Sequence, residues 1–255
     1  MNGRADYTMT DRKQNHGLSM AKVSMLVALL AGAVVLTAWL TKQWSEQNIA
    51  AQKRAYFYQS MLAFTLRQDA NMLDQALVFI GDSQVQGLAV SRLGRHAINL
   101  GIGGDTSTTL LERWPNYQSL QNAKLIFVAV GINDLFQSQD ENLVNNMASL
   151  IAMVPSTTAI YIGAILPLAM TSKHFSTFDA RIKKQNAALQ TLSAQYANVY
   201  FVDYYADFVE ADTKTPSNPF LIDGLHLNPT GYELMITKLK QTLFTSEQQN
   251  ESNNH

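Results

Sequence analysis

Leu77-Val78-Phe79-Ile80-Gly81-Asp82-Ser83-Gln84 is the stretch from which the rest of the chain is read. Four apolar residues rich in β-formers run directly into a Gly-Asp-Ser turn. This is the pattern of a buried strand that delivers a serine to the exposed end of a sheet. The same tripeptide is also ordinary turn chemistry, so its meaning rests on what lies downstream.

Four further apolar runs follow: Ala97–Leu100, Leu125–Val130, Ala159–Ile165 and Val199–Val202. Between them lie helix-forming segments. These are expected over Val85–Leu93, through Leu110, Leu111 and Trp114, over Glu141–Met153 and over Asp179–Tyr196. A last helix is expected from Pro229 to about Phe244, with Asn228 as its cap. Five strands alternating with helices predict a parallel, doubly wound sheet with right-handed crossovers. Leu168–Phe178 and Tyr204–Phe220 read as loops that shape a pocket. His174, alone in the first of them, reads as a solvated side chain.

In such a sheet ligands bind beyond the carboxyl ends of the strands, and polar groups gather there. Gly101-Ile102-Gly103-Gly104-Asp105-Thr106-Ser107 follows the second strand. Its glycines let the backbone approach a ligand, and Asp105 or Thr106 can cap the next helix. The loop lacks the Gly-Lys-Ser/Thr ending of a phosphate-binding loop and does not complete Gly-x-Gly-x-x-Gly, which argues against a nucleotide. A developing oxyanion is the other anion such a loop can receive. Gly131-Ile132-Asn133-Asp134 follows the third strand, where the Asn133 amide can donate to an oxyanion or serve a turn. Asp223-Gly224-Leu225-His226 precedes the last helix. Its spacing lets the carboxylate reach the Nδ1 side of the imidazole while Nε2 faces a serine. A metal site from Asp82, Asp134, Asp223 and His226 is the competing chemistry, but no His-x-x-x-His pairing or equivalent supports it.

Composition narrows the classes. The chain has 255 residues, a formal net charge of −1 and no cysteine. That is room for one α/β domain after the N-terminal segment. The charge balance and the lack of a basic stripe argue against a nucleic-acid partner. Without cysteine there are no disulfides, thiolate metal sites or cysteine nucleophile.

The N-terminal segment is of another kind. From Val23 to Leu40 the sequence is almost wholly apolar, flanked by Lys22 and Lys42, with Trp39 and Trp44 near its far edge. A run of about 18 apolar residues matches a membrane-spanning helix and exceeds the ~7–15 residues of a cleaved signal core. Arg4, Arg12, Lys13 and Lys22 precede the span; Lys42, Lys53, Arg54 and Arg67 follow it. Counted close to the membrane, they place the N-terminus inside and the following body outside the cytoplasm.

The blocks Gly81-Asp82-Ser83, Gly101–Ser107, Gly131–Asp134 and Asp223–His226 stand in the order of the four blocks of the SGNH (GDSL-like) hydrolase superfamily, which the chain resembles from Leu77 to Phe244. One departure is Gln84, where the name-giving motif has leucine; it bears on substrate preference. The resemblance implies a flavodoxin-like three-layer α/β/α sandwich with a five-stranded parallel sheet, preceded here by one transmembrane helix. It implies Ser83 as nucleophile, His226 as its general base and Asp223 as the residue orienting that histidine. The oxyanion hole would be formed by the backbone N–H groups of Ser83 and Gly104 and the amide of Asn133, with no metal or organic cofactor. The expected organisation is a cytoplasmic tail over 1–22, a signal anchor over 23–41, a helical connector over 42–75, the hydrolase domain over 76–246 and a disordered tail over 247–255. The expected function is a membrane-tethered serine esterase or lipase with a periplasmic or other extracytoplasmic domain. Its substrate would be an acetylated carbohydrate or a lipid or lysophospholipid ester. The alternatives are acyl transfer by the same chemistry and a tethered domain that only binds.

Overall fold

A computed structural model of the chain describes residues 19–169, 173–209 and 219–252. The basic residues Arg4, Arg12 and Lys13, the Thr213–Asn218 part of the second loop and the last three residues of the expected tail lie outside them. So does the side chain of His174. The chain divides into two units, Met1–Tyr56 and Phe57–His255.

The elements follow in the order α1 (Met20–Asp69), β1 (Leu77–Gly81), α2 (Ser83–Gln86), β2 (Ala97–Asn99), α3 (Ser107–Arg113), β3 (Leu125–Ala129), α4 (Ile132–Phe136), α5 (Leu143–Ala152), β4 (Ala159–Gly163), α6 (Lys173–Ser193), β5 (Val199–Val202), α7 (Tyr205–Phe208) and α8 (Pro229–Ser252). The five strands form one sheet in the order β2-β1-β3-β4-β5, all parallel. This is the flavodoxin-like doubly wound order, and it agrees with the expected fold class.

Alternation within each apolar run distributes its side chains to two cores. Val78, Ile80, Ile126, Val128, Ile160 and Ile162 pack on one face with side chains of α3, α5 and α6. Leu77, Phe79, Leu125, Phe127, Tyr161 and Val202 pack on the other with α8 residues Met235, Ile236, Leu239 and Leu243. Both faces are therefore covered, which is why the strands read as unbroken apolar runs rather than alternating ones.

Several boundaries differ from the expectation. The helix expected over Val85–Leu93 is the single turn α2 and a later 3₁₀ turn at Val90–Arg92. Gly87 closes α2, its N–H bonding back to the Ser83 carbonyl. Lys173–Phe178, read as loop, is the start of α6, and α4 and α7 are short helices inside segments read as turn and loop. α8 runs to Ser252, so residues 247–252 of the expected disordered tail are helical.

α1 is one unbroken helix through the apolar run and most of the expected connector, ending at Asp69 rather than Gln75. Its Val23–Leu40 side chains are exposed, and its most apolar window is wholly unburied. Eighteen residues at about 1.5 Å each span about 27 Å, close to a bilayer's hydrocarbon core. The helix is thus a candidate membrane anchor, by length and composition.

Candidate active site

β1 ends at Gly81, where the chain turns within van der Waals distance of β3. A Cβ placed on Gly81 would stand 1.9 Å from the Ala129 carbonyl oxygen, so only glycine fits. Asp82 then caps α2, its Oδ1 accepting from the Gln84 N–H at 2.9 Å. This turns Ser83 out at the first position of the helix. The Asp82 carboxyl is buried beside a mostly apolar cavity that Ile132, Leu168, Tyr204 and Leu225 also line. Burial lifts it to about 7, against the opposing pull of the Gln84 N–H.

Ser83 Oγ lies 3.0 Å from His226 Nε2, and His226 Nδ1 lies 2.7 Å from Asp223 Oδ2. The remaining oxygen, Oδ1, accepts the backbone N–H groups of Leu225 (3.0 Å) and His226 (2.7 Å). With His226 donating to it from ring and backbone, Asp223 is held at about 2 and is ionised at neutral pH. An ionised carboxylate only accepts, so Nδ1 carries the ring proton in the neutral imidazole. Nε2 is then the acceptor facing the serine hydroxyl. The His226 and Asp223 side chains are 40% and 53% exposed, so this end of the chain of bonds is open to solvent.

Gln84 was read as a departure from a motif; the structure gives it a task. Its side chain is buried and crosses to the histidine segment. Nε2 donates to the Leu225 carbonyl at 2.6 Å, and Oε1 accepts the Leu227 N–H at 3.3 Å. One amide thus grips the backbone on either side of His226. Nothing in the local sequence signals this, because the partners are more than 140 positions apart.

The glycine loop runs beside the Ser83 turn, the Ile102 N–H bonding to the Gly81 carbonyl at 2.9 Å. The Gly103 N–H is taken by Gln86 Oε1 at 2.8 Å, while that of Gly104 meets no acceptor among the described residues. Gly104 has φ +88°, a conformation favouring glycine, and open space where a Cβ would be. Asn133 donates its amide to the Asp105 carbonyl at 2.9 Å, so the third block is tied to the second one residue past Gly104.

Of the two capping candidates, Thr106 caps α3, in a capping box with Thr109. Asp105 instead accepts from buried Arg113 Nε at 2.8 Å, with Nη2 2.6 Å away. Arg113 continues to the Tyr117 hydroxyl at 2.7 Å and the Gly81 carbonyl at 3.2 Å. Burial lifts the Asp105 carboxyl and the adjacent guanidinium opposes it. Asp134, also buried, accepts the Ser107 N–H and hydroxyl rather than facing Ser83. Asp134 and Asp105 therefore brace the loops, and sequence reasoning missed both roles. The metal alternative does not come together: among the described residues no group of three or more metal-ligating side chains occurs.

The family model of the GDSL-like Lipase/Acylhydrolase family matches residues 79–234. Among curated proteins, the platelet-activating factor acetylhydrolase IB subunit alpha1 of Rattus norvegicus is 27% identical over 182 residues, covering 69% of this chain and 78% of that protein. The alpha2 subunit of Homo sapiens is 28% identical over 179 residues, 66% and 75% respectively. Among solved structures, a GDSL-like lipase from Bacteroides thetaiotaomicron superposes with TM-score 0.63 at 20% identity, over 72% of this chain and 98% of that one. A catalytic mutant of an acetylxylan esterase from Geobacillus stearothermophilus gives TM-score 0.56 at 18% identity, over 67% and 94%.

Proposed function

The chain belongs to the GDSL-like lipase/acylhydrolase family, and from that premise we propose that it is a membrane-tethered serine esterase working through an acyl-serine intermediate. The observation that carries this reading is the unbroken bond chain from Asp223 through His226 to Ser83.

Ser83 Oγ attacks the ester carbonyl carbon while its proton passes to His226 Nε2. Asp223 stabilises the imidazolium by accepting from Nδ1. The carbonyl oxygen becomes an oxyanion, received by the N–H groups of Ser83 and Gly104 and the Asn133 amide. Collapse breaks the bond to the alcohol, which leaves with the proton from His226. A water molecule, deprotonated by His226, then attacks the acyl-serine; the bond to Ser83 Oγ breaks, the carboxylic acid leaves and His226 returns the proton to Oγ.

The substrate we assign is an acetylated carbohydrate or a lipid or lysophospholipid ester. Two relatives support the acetyl end of that range: their names describe an acetylhydrolase and an acetylxylan esterase. The exposed apolar stretch of α1 supports a tether; the basic residues flanking it, counted close to the membrane, support an extracytoplasmic catalytic unit.

The test is hydrolysis of p-nitrophenyl acetate and octanoate by the full chain in phosphatidylcholine nanodiscs, against Ser83→Ala and His226→Ala. Loss in both variants, with fluorophosphonate labelling of wild type only, is the expected result. Wild-type hydrolysis by Ser83→Ala would overturn it. A chain that neither hydrolyses esters nor takes the label would point instead to a domain that only binds.

A further inference from the structure

The matched family region begins at residue 79, yet the catalytic unit begins at Phe57. The last turns of α1 therefore belong to the enzyme body. They are fixed to it by buried polar contacts. Thr65 shares a hydrogen bond with the Tyr117 hydroxyl at 2.7 Å, and one turn further Asp69 accepts the Gln118 N–H at 2.6 Å. Thr65 and Asp69 are both buried.

Anchored this way, the first residue of the segment lies beside the glycine loop, near the Ser83 turn. Phe57 Cε1 lies 3.7 Å from the point where a Cβ on Gly103 would stand, and Ser83 Cβ lies 3.7 Å from that same point. Gly103 carries no side chain there, and Gln86 Oε1 stands 2.8 Å from the same point, so the ring edge, the serine and the Gln86 amide border one small space. Phe57 is nevertheless 45% exposed. A large apolar ring left half uncovered next to a nucleophile offers its free surface to whatever is bound there.

We infer that Phe57 is a specificity-determining residue: its ring forms an apolar wall of the substrate site beside Gly103, against which acyl chains longer than acetyl pack. This rests on the esterase reading above. Acetyl is too short to cover much of such a wall, whereas each further methylene buried against it adds to transition-state binding. Specificity would thus be set partly by a residue of the anchor helix, outside the matched family region.

The experiment measures kcat/KM for p-nitrophenyl acetate, butyrate and hexanoate with the full chain in phosphatidylcholine nanodiscs. The variants are Phe57→Ala, Phe57→Leu and Phe64→Ala. Phe64 is equally exposed on α1 and two turns, about 10 Å, further along. Phe57→Ala should lower the hexanoate-to-acetate ratio by about fivefold or more, the scale of one or two methylenes left unburied. Phe57→Leu should recover most of the ratio, and Phe64→Ala should leave it at the wild-type value. An unchanged ratio in Phe57→Ala, or an equal fall in Phe64→Ala, overturns the inference. Ser83→Ala, run alongside, separates the two readings. If it is inactive and the Phe57→Ala ratio is unmoved, only the role of Phe57 falls; if it retains activity, both fall.

Discussion

Replacing Gln84 with leucine, the residue of the name-giving motif, tests how the histidine is held in place. The substitution removes the donor to the Leu225 carbonyl and the acceptor of the Leu227 N–H. Leu227 is only 5% exposed, so its N–H gains no ready access to water. A hydrogen bond contributes ~1 kcal/mol net, and a buried group left unpaired costs ~1–3 kcal/mol. The bond at 2.6 Å accounts for more of this than the one at 3.3 Å. Leucine offsets roughly 1 kcal/mol by its own burial. The expected net destabilisation is thus about 1–3 kcal/mol in urea unfolding. The consequence for activity is larger, because both lost bonds flank His226. A shift of about 1 Å in a catalytic group can cost ~10²-fold, so kcat should fall about 10- to 100-fold with KM nearly constant. Gln84→Glu keeps the acceptor for Leu227 but sets a carboxylate against the Leu225 carbonyl, and should be the worse of the two. Gln84→Leu with kcat within about twofold of wild type and stability within about 0.5 kcal/mol would refute the clamp.

The other predictions probe the loops around the serine and the placement of the chain. Asn133→Ala should lower kcat ~10²–10³-fold with the fold intact by circular dichroism; unchanged turnover removes it from the oxyanion site. Arg113→Ala leaves the buried Asp105 carboxyl without its guanidinium, and should cost ~3–5 kcal/mol in chemical unfolding. A melting temperature equal to that of wild type would show the pair to be dispensable. Asp82, lifted to about 7 from an ordinary 3.8, keeps its proton in the folded state where the unfolded chain has lost it. Its contribution to stability is complete below 3.8 and lost as pH rises through about 7. Asp82→Asn should therefore gain on wild type steadily between pH 4 and 7 in urea titrations, and a pH-independent difference would count against the shift. A reporter fused after Phe244 should be shielded from cytoplasmic labelling reagents, and labelling from that side would reverse the topology.

The strands were legible because their residues answer to a local rule. The central runs β1, β3 and β4 are buried on both faces, so hydrophobicity marks them without reference to neighbours. The four chemical blocks were legible because each sits where a strand ends or the last helix begins. Helix bounds were read less well. α2 stops after one turn where the sequence allowed a helix to Leu93, because the next N–H, that of Leu88, bonds only three residues back, to the Val85 carbonyl. α6 begins at Lys173, several residues before the expected Asp179. The support of the site was hidden for a different reason. Arg113 is an unremarkable helix residue until burial forces its charge onto Asp105 and its remaining donors onto Tyr117 and Gly81.

By itself, then, the sequence determined the elements whose cause is local: the parallel α/β plan, the apolar stretch of α1, and which serine, histidine, aspartate and asparagine to consider. Tertiary structure decided what depends on distant segments meeting. It brought Ser83 to His226 across 143 positions, turned Gln84 from a motif exception into a grip on the histidine segment, and made the end of α1 part of the catalytic unit. The physical reason is that periodicity and turn chemistry act over a few residues. Hydrogen-bond partners for buried polar groups are found instead wherever the fold supplies them.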